Sequence, residues 1–347
     1  MGVGLTRYSA SAFRGVHGGW RASLAALGTV VVAFALSSSP AVALTQQGHV
    51  FGYSFDEAAA KAELSSPAGI AVNEANHEVY VVDRGKSRVD RFLCGGPATE
   101  PCTFVNSFEV PSPESIAVDN SSDESKGDVY VASSVRVPAA EVFKGTVFKF
   151  TKEGTQITKL TKVAGEPLAK VNGLAVTPNG ELWIEQGEQG NIDRFTGGLP
   201  NKFIAEPEPF EVVSELREGS FIASGFAVDS GGEHLYVTHG EVEAELEREV
   251  HKEVETEELK EANCAKGPCT VAKLSVQQEL ENGELSDSVA DLSPELLPEA
   301  SSGVAVDLTG EGSFANDVYL DGGKSIAALD AEGKLIQRFG SEEGAFK

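Results

Sequence analysis

Residues 66–92 read SPAGIAVNEANHEVYVVDRGKSRVDRF, and this stretch decides the fold. It contains an apolar run around Ile70, a polar turn, and a second apolar run around Tyr80. A third short run, RVDRF, begins at Arg88 after a Gly-Lys-Ser turn. Short apolar runs separated by turns rich in Gly, Asn and Asp are typical of consecutive β-hairpins. The stretch therefore predicts a small antiparallel sheet.

The same pattern recurs four more times along the chain. A third strand follows in each copy, and a fourth can be traced in most copies, at residues 103–108, 156–160, 202–205 and 335–339. In the fourth copy we place it near residues 285–289. A four-stranded sheet buries both of its faces only when neighbouring sheets pack against it, so repeats of this kind predict an all-β propeller of four-stranded blades. The equivalent positions of the five blades are Ile70, Ile116, Leu174, Phe226 and Val304.

The two ends of the repeat array predict an incomplete ring. The segment HVFGYSF, His49–Phe55, reads as an additional outer strand before the first blade. The fifth blade nevertheless has its own fourth strand, LIQRF, at residues 335–339. The final residues, RFGSEEGAFK, are similar to the linker before Ser65. We therefore expect five blades of a six-bladed ring.

Residues 1–43 have the features of a signal peptide. Arg7, Arg14 and Arg21 precede an apolar run at Leu24–Leu36, and a small-residue cleavage site follows at Ala41–Ala43. The apolar run is short for a membrane span. We expect cleavage, a secreted or cell-surface protein without membrane insertion, and a propeller over residues 44–347.

The charge balance limits the classes of partner. The chain carries 53 acidic and 28 basic residues, a formal net charge of −25. Nucleic acids and anionic membrane surfaces bind basic patches, so both are disfavoured as partners. The composition fits solubility alone, or a cationic partner or calcium.

The four cysteines form two close pairs, Cys94 with Cys102 and Cys264 with Cys269. In an exported chain such pairs favour local disulfides. A four-cysteine zinc site is the alternative, although the first pair is wider than the usual spacing between zinc ligands.

The segment Gly240–Cys264 is an acidic insertion between the second and third strands of the fourth blade. Val242, Leu246, Val250 and Val254 recur every four residues and favour a helix. Partial alternation over Glu241–Val250 leaves a β-ribbon as the alternative. The insertion is either a solvated surface excursion or a lid or docking arm.

The stretch at residues 66–92 resembles the NHL repeat, with Gly85-Lys86-Ser87 in place of the usual Gly-Asn-Asn turn. The repeat that begins at Lys170 is also similar to repeats of streptogramin lyases and gluconolactonase-like propellers. The resemblance implies a ligand site at one mouth of the central channel, lined by the loops before the inner strands and after the second strands. The corresponding candidates are Arg84, Glu114, Asn172, Glu185, His239 and Asp321.

Two of these residues carry a further, catalytic expectation through the resemblance. Asn172 lies in an Asn-Gly-Leu-Ala-Val segment similar to one that holds a divalent metal in gluconolactonase-like enzymes, so calcium or magnesium would suit it. A turn-capping asparagine with no metal is the alternative that we expect. His239 occupies a place where a lyase-like propeller could hold a general acid or base, and an isolated surface histidine is its alternative.

The sequence contains no Ser–His–Asp order, Gly-rich phosphate loop or His-x-x-x-His pair. Our first hypothesis is therefore a binding scaffold without a cofactor, for a protein, peptide or glycan ligand. The alternative is a metal-assisted lactonase or lyase with its site at the mouth.

Overall fold

Nearly all regular structure in the computed structural model is β-strand. The described residues are 64–94, 102–139, 142–186, 191–198, 200–204, 210–211, 225–240, 269–275, 290–292, 303–307, 316–321, 326–331 and 333–339. All of them belong to one compact unit, Gly48–Lys347. Within these ranges the only helical element is a 3₁₀ turn at Arg84–Lys86. No helix in these ranges is long and apolar enough to cross a membrane.

The strands form five antiparallel four-stranded sheets, each ordered as in the sequence. We number these blades 1 to 5, and in each the first strand is the inner one. Blade 1 contains β1 (Pro67–Asn73), β2 (Glu78–Asp83), β3 (Arg88–Leu93) and β4 (Thr103–Glu109); blade 2 contains β5 (Pro113–Val118), β6 (Val129–Val137), β7 (Val142–Phe150) and β8 (Gln156–Leu160). A separate two-stranded ribbon, β9 (Lys162–Val163) with β10 (Glu166–Pro167), follows.

The three later blades have the same order. Blade 3 contains β11 (Val171–Val176), β12 (Leu182–Gln186), β13 (Asn191–Phe195) and β14 (Phe210–Glu211); blade 4 contains β15 (Phe226–Val228), β16 (His234–Gly240), β17 (Cys269–Ser275) and β18 (Ala290–Leu292); blade 5 contains β19 (Val304–Val306), β20 (Val318–Asp321), β21 (Ile326–Leu329) and β22 (Leu335–Phe339). The prediction of five propeller blades is confirmed. A missing sixth blade stays a prediction, and the interior of the acidic insertion, residues 241–264, lies outside the described residues.

Two fourth strands differ from the sequence prediction. In blade 4 the strand is Ala290–Leu292, just beyond the predicted 285–289. In blade 3 the described part of the predicted strand, residues 202–204, forms a bridge from Phe203 to Phe195, and a ladder with β13 is found at Phe210–Glu211. The intervening sequence contains Pro207 and Pro209, which have no N–H to donate to a ladder.

The core lies between successive blades. Each inner strand packs against the inner strand of the next blade, from β1 through β5, β11 and β15 to β19. Between blades 2 and 3, for example, Tyr130 and Val147 form one buried cluster with Leu174, Ile184 and Phe195. Side chains on the two faces of a strand alternate, so each blade presents one apolar face to each neighbour. This stacking fixes the ends of the strands, where the candidate site lies.

Candidate functional site

The last residue of the second strand fastens the loop that leads into the inner strand of the same blade. In blade 1 the Asp83 carboxylate accepts hydrogen bonds from the backbone N–H groups of Ser65, at 2.9 Å, and Ser66, at 3.0 Å. In blade 3 the Gln186 Oε1 atom accepts one from the N–H of Ala169 at 2.7 Å. These bonds bring the two predicted loop sets to the same end of the blades, which we call the mouth.

Each of the first three inner strands begins with a bulge. The pairing of β1, β5 and β11 with their second strands shifts by one residue at Ala68, Glu114 and Asn172. A bulge leaves one residue out of the ladder and re-aims its side chain. Glu114 and Asn172 therefore hold equivalent positions at the mouth, and so they belong to the set that the resemblance implied.

Arg84 and Glu114 form an ion pair between blades 1 and 2. Arg84 lies in the 3₁₀ turn directly after β2, and about half of its side chain is exposed. Burial raises the pKa of Glu114, and the positive charges of Arg84 and Lys170 oppose that rise. The structure therefore brings together two of the predicted site residues.

Lys170 adds a third charged group, from the start of blade 3. Its ammonium lies 5.4 Å from the centre of the Phe143 ring of blade 2. It interacts electrostatically with both Glu114 and Glu185. Sequence reasoning missed Lys170, although its place two residues before Asn172, in the loop before an inner strand, was a signal that could have found it.

Glu185 is a buried carboxyl group that has no hydrogen-bond partner among the described residues. It lies near the end of β12, opposite Gly173 on β11, and is only 1% exposed. Both carboxylate oxygens are buried, and neither has a partner in the described part of the chain. Burial raises the pKa of Glu185 to about 8, against the opposing charge of Lys170. A carboxyl group with such a pKa changes its charge near neutral pH.

Other blades place different residues at the position of Glu185. The register of the second strands puts Val82 of blade 1 and Ala132 of blade 2 there. A Cβ atom on Gly173 would lie 2.5 Å from the Cβ of Phe226, so the glycine lets blade 4 approach this corner closely. The Glu185 carboxyl is thus next to an apolar contact between blades, where an unpaired ionised group is costly. A perturbed carboxyl of this kind is a candidate functional group.

The backbone hydrogen bonds and strand pairing place the remaining candidates, His239 and Asp321. His239 pairs with Thr270 in the ladder between β16 and β17, and its side chain lies outside what the structure describes. Asp321 ends β20, and its N–H donates to the carbonyl of Gly303 at 3.0 Å. In the described ranges no group of three or more His, Cys, Asp or Glu side chains could hold a metal ion.

One of the two predicted disulfides is present. Cys94 and Cys102 are bonded and lie beside Phe92 and Phe104 on one face of blade 1. The second pair, Cys264 with Cys269, depends on residue 264, which falls outside the described residues.

Comparison with known proteins supports the repeat type. Residues 64–92 match the family model of the NHL repeat, so the first blade contains that repeat. A comparison with curated proteins gives no significant match.

Several solved structures are similar to this chain. A gluconolactonase from Xanthomonas campestris has a TM-score of 0.49 and 15% identity, over 78% of this chain and 75% of its own. A chain of a nidogen/laminin complex has a TM-score of 0.48 and 15% identity, over 79% of both chains. A catalytically inactive virginiamycin B lyase from Staphylococcus aureus, with quinupristin, has a TM-score of 0.45 and 13% identity, over 80% of this chain and 70% of its own. Similarity at this level transfers no activity to the present chain.

Proposed function

We propose that this propeller, which contains an NHL repeat, is an extracellular or cell-surface scaffold that binds a protein, peptide or glycan at its mouth. Three consecutive blades each contribute a charged group there. The groups are Arg84, Glu114 and Lys170, joined by the ion pair and by electrostatic interaction. This shared charged surface is the observation that carries the proposal.

The arrangement suits recognition because its groups are held in place before a ligand arrives. The Asp83 and Gln186 side chains fasten the loops that lead into blades 1 and 3. The side chain of Arg84 is about half exposed, and arginine is enriched at binding interfaces. Preorganised contacts reduce the entropy lost on binding.

Binding can be tested on a peptide array and a glycan array with the purified protein. We expect a discrete set of ligands whose binding is lost or reduced at least about tenfold in Arg84→Ala and Lys170→Ala. The matched control is Lys159→Ala, on the exposed outer strand β8 of blade 2, which should bind like the parent. An absence of ligands on both arrays, or equal losses in all three variants, would contradict the proposal.

Export is part of the same proposal and has its own measurement. The Cys94–Cys102 disulfide suits an oxidising compartment. N-terminal sequencing of the protein recovered from the medium or the cell surface should begin just after Ala43. Recovery only from the cytoplasm with Met1 intact would contradict it.

Glu185 supports a second candidate, a lactonase or lyase at the mouth. A buried carboxyl with a pKa of about 8 can donate or accept a proton near neutral pH. Turnover of a panel of lactones and cyclic esters, lost in Glu185→Gln, would favour this candidate. Dependence of that turnover on calcium, magnesium or zinc, with loss in Asn172→Ala, would make it metal-assisted. No turnover with any of these metals present would rule it out.

A further inference from the structure

The hairpin between the second and third strands of blade 2 is longer than its counterparts in blades 1 and 3. The residue pairs that hold equivalent places at the mouth are Asp83–Arg88, Ser133–Thr146 and Gln186–Asn191. The strands of blades 1 and 3 end at this pair, whereas the ladder of blade 2 continues to the pair Val137–Val142. At about 3.3 Å per residue, the additional pairs extend the hairpin by roughly 13 Å. We call residues 134–145 the blade 2 ribbon.

One side of the ribbon is fixed to the loop that leads into blade 3. The Gly145 N–H donates to the carbonyl of Leu168 at 2.9 Å, and the Val171 N–H donates to the Ser134 hydroxyl at 3.0 Å. A Cβ atom on Gly145 would lie 2.0 Å from the carbonyl oxygen of Ala169, so only glycine permits this close approach. A two-stranded ribbon is at best marginally stable by itself. These contacts therefore hold the ribbon in place before any ligand binds.

The opposite side of the ribbon faces blade 1 and exposes apolar side chains. Side chains alternate along the two strands, and Val131, on this side, packs in the cluster between blades 1 and 2. Beyond that cluster, the pairs on the same side are Val135–Lys144 and Val137–Val142. Val135 and Val142 are 44% and 46% exposed, and Lys144 is also exposed. The ribbon thus presents valines beside a lysine on the side of blade 1.

The mouth loops of blades 1 to 3 have a charge balance opposite to that of the whole chain. These loops are residues 84–87, 111–115, 134–145, 168–172 and 187–190. They contain the basic residues Arg84, Lys86, Arg136, Lys144 and Lys170 and the acidic residues Glu114, Glu141 and Glu188. Glu141 and Glu188 lie outside the described residues, and Glu114 is paired with Arg84. The chain as a whole has 28 basic and 53 acidic residues, so the mouth loops form a locally basic surface on an acidic protein.

Apolar side chains beside basic groups favour an acidic ligand that also has apolar side chains. Complementary charge guides association and selects among partners, and burial of apolar surface adds affinity. An acidic glycan or a nucleic acid offers negative charge without aliphatic side chains, whereas a peptide can supply both. The combination therefore favours an acidic peptide.

We propose that the blade 2 ribbon is the docking site for an acidic peptide segment of a partner protein that also contains aliphatic residues. Lys144 and the half-exposed Arg84 bind its carboxylates, and Val135 and Val142 contact its aliphatic side chains. The inference rests on the proposed binding function of the mouth and narrows its ligand.

The proposal can be tested by fluorescence anisotropy with the purified protein and short labelled peptide libraries. The libraries combine glutamate with leucine, glutamate with serine, glutamine with leucine, and lysine with leucine. We expect the glutamate–leucine library to bind at least about tenfold more tightly than the other libraries. Added salt should weaken this binding, because it screens charges at an exposed surface.

Two substitutions place the binding on the ribbon. Lys144→Glu should weaken binding of the glutamate–leucine library at least about tenfold, and Val142→Ser should weaken it about fivefold. The matched controls are Lys159→Glu on β8 and Val105→Ser on β4, which make the same changes at exposed positions of outer strands. Both controls should bind like the parent protein. All the replaced side chains are exposed, so the thermal unfolding of every variant should match that of the parent.

Several results would overturn the inference. Tightest binding of the lysine–leucine library, or equal losses in the variants and their controls, would contradict an acidic ligand on the ribbon. Array ligands that are lost in Arg84→Ala and Lys170→Ala but kept in Lys144→Glu would contradict the ribbon site and leave the proposed function intact. Binding of acidic glycans and no acidic peptide would replace the peptide as the ligand. The absence of any array ligand would contradict both proposals.

Discussion

Blades 1 and 3 each bury an acidic side chain at the end of the second strand, and the two carboxyl groups differ in hydrogen bonding. Asp83 of blade 1 is fully buried and accepts hydrogen bonds from the N–H groups of Ser65, Ser66 and Lys86. Although burial alone raises the pKa of Asp83, these donors outweigh it, and the pKa falls below its usual value. Glu185 of blade 3 accepts no hydrogen bond from the part of the chain that the structure describes, and burial raises its pKa to about 8.

The difference separates a structural carboxylate from a candidate functional one. Asp83 lies at the clamping position, where Gln186 fastens the loop of blade 3 with a neutral amide. Glu185 lies one residue earlier, where blades 1 and 2 have Val82 and Ala132. A residue that departs from its repeat and leaves buried polar atoms unpaired usually marks function. Burial alone therefore does not identify a site; the number of donors to the buried group does.

The largest expected effect comes from placing a glutamate in blade 1 at Val82, the position equivalent to Glu185 of blade 3. Val82→Glu would bury a carboxyl with no partner in the cluster between blades 1 and 2, at a cost of about 4 kcal/mol in the free energy of unfolding. Urea unfolding at pH 7 would measure it. The control Val135→Glu, at an exposed site, should change that free energy by about 0.5 kcal/mol or less. Equal effects of the two substitutions would show that blade 1 accommodates the carboxyl as blade 3 does.

Removal of the structural carboxylate should have the next largest effect. Asp83→Ala leaves three backbone N–H groups without their acceptor, and we expect a loss of about 3 kcal/mol in urea unfolding. Asp83→Asn retains one acceptor oxygen and should lose less. An alanine variant as stable as the parent would mean that water replaces the carboxylate.

Removal of the unpaired carboxyl should stabilise the protein, in contrast to the loss at Asp83. The folded state binds the Glu185 proton more tightly than the unfolded state does, so stability is complete below the ordinary glutamate pKa and falls as the pH rises towards about 8. Glu185→Val should remove this fall and raise the free energy of unfolding by about 1–2 kcal/mol near pH 8. Thermal unfolding between about pH 5 and pH 9 would measure both, with Glu185→Gln as the shape control. If the stability of the parent protein does not fall over this pH range, the Glu185 carboxylate has a partner that stabilises its charge.

The smallest expected effect is at low pH, where the contribution of Asp83 to stability decreases as the pH falls, the reverse of the pH dependence at Glu185. The lowered pKa of Asp83 stabilises the folded state above the ordinary aspartate pKa, and this contribution is lost as the pH falls through the folded pKa. Asp83→Asn should therefore lose less stability on acidification than the parent, by on the order of 1 kcal/mol. The measurement is an acid titration of each protein, monitored by circular dichroism. Parallel acid-titration curves of the two proteins would mean that Asp83 does not contribute to the acid transition.

The sequence predicted much of the fold because blade formation is local. Each hairpin at Ile70, Ile116 and Leu174 carries its own strand and turn signals, and the second and third strands follow within a few residues. The fourth strands of blades 3 and 4 were less well predicted. They pair with the third strand over only two and three residues, which is too short for a clear pattern of alternation in the sequence. The loops of the mouth were implied by resemblance, and Glu114 and Arg84 do meet there.

Three features required the folded chain, two at the mouth and one on the face of blade 1. The sequence alone did not single out Lys170, because its importance depends on two carboxyl groups from different blades. Nor did it show that the pKa values of Asp83 and Glu185 would shift in opposite directions, since a pKa shift depends on burial and on donors brought in from the loops. The exposure of Ile70 and Val72 in blade 1, whose equivalents in blades 2 to 4 are buried, is visible only when the interfaces are compared. The periodicity of the sequence determined the blades, because each hairpin forms from neighbouring residues. Contacts between residues far apart in the sequence determined which buried polar groups receive hydrogen bonds.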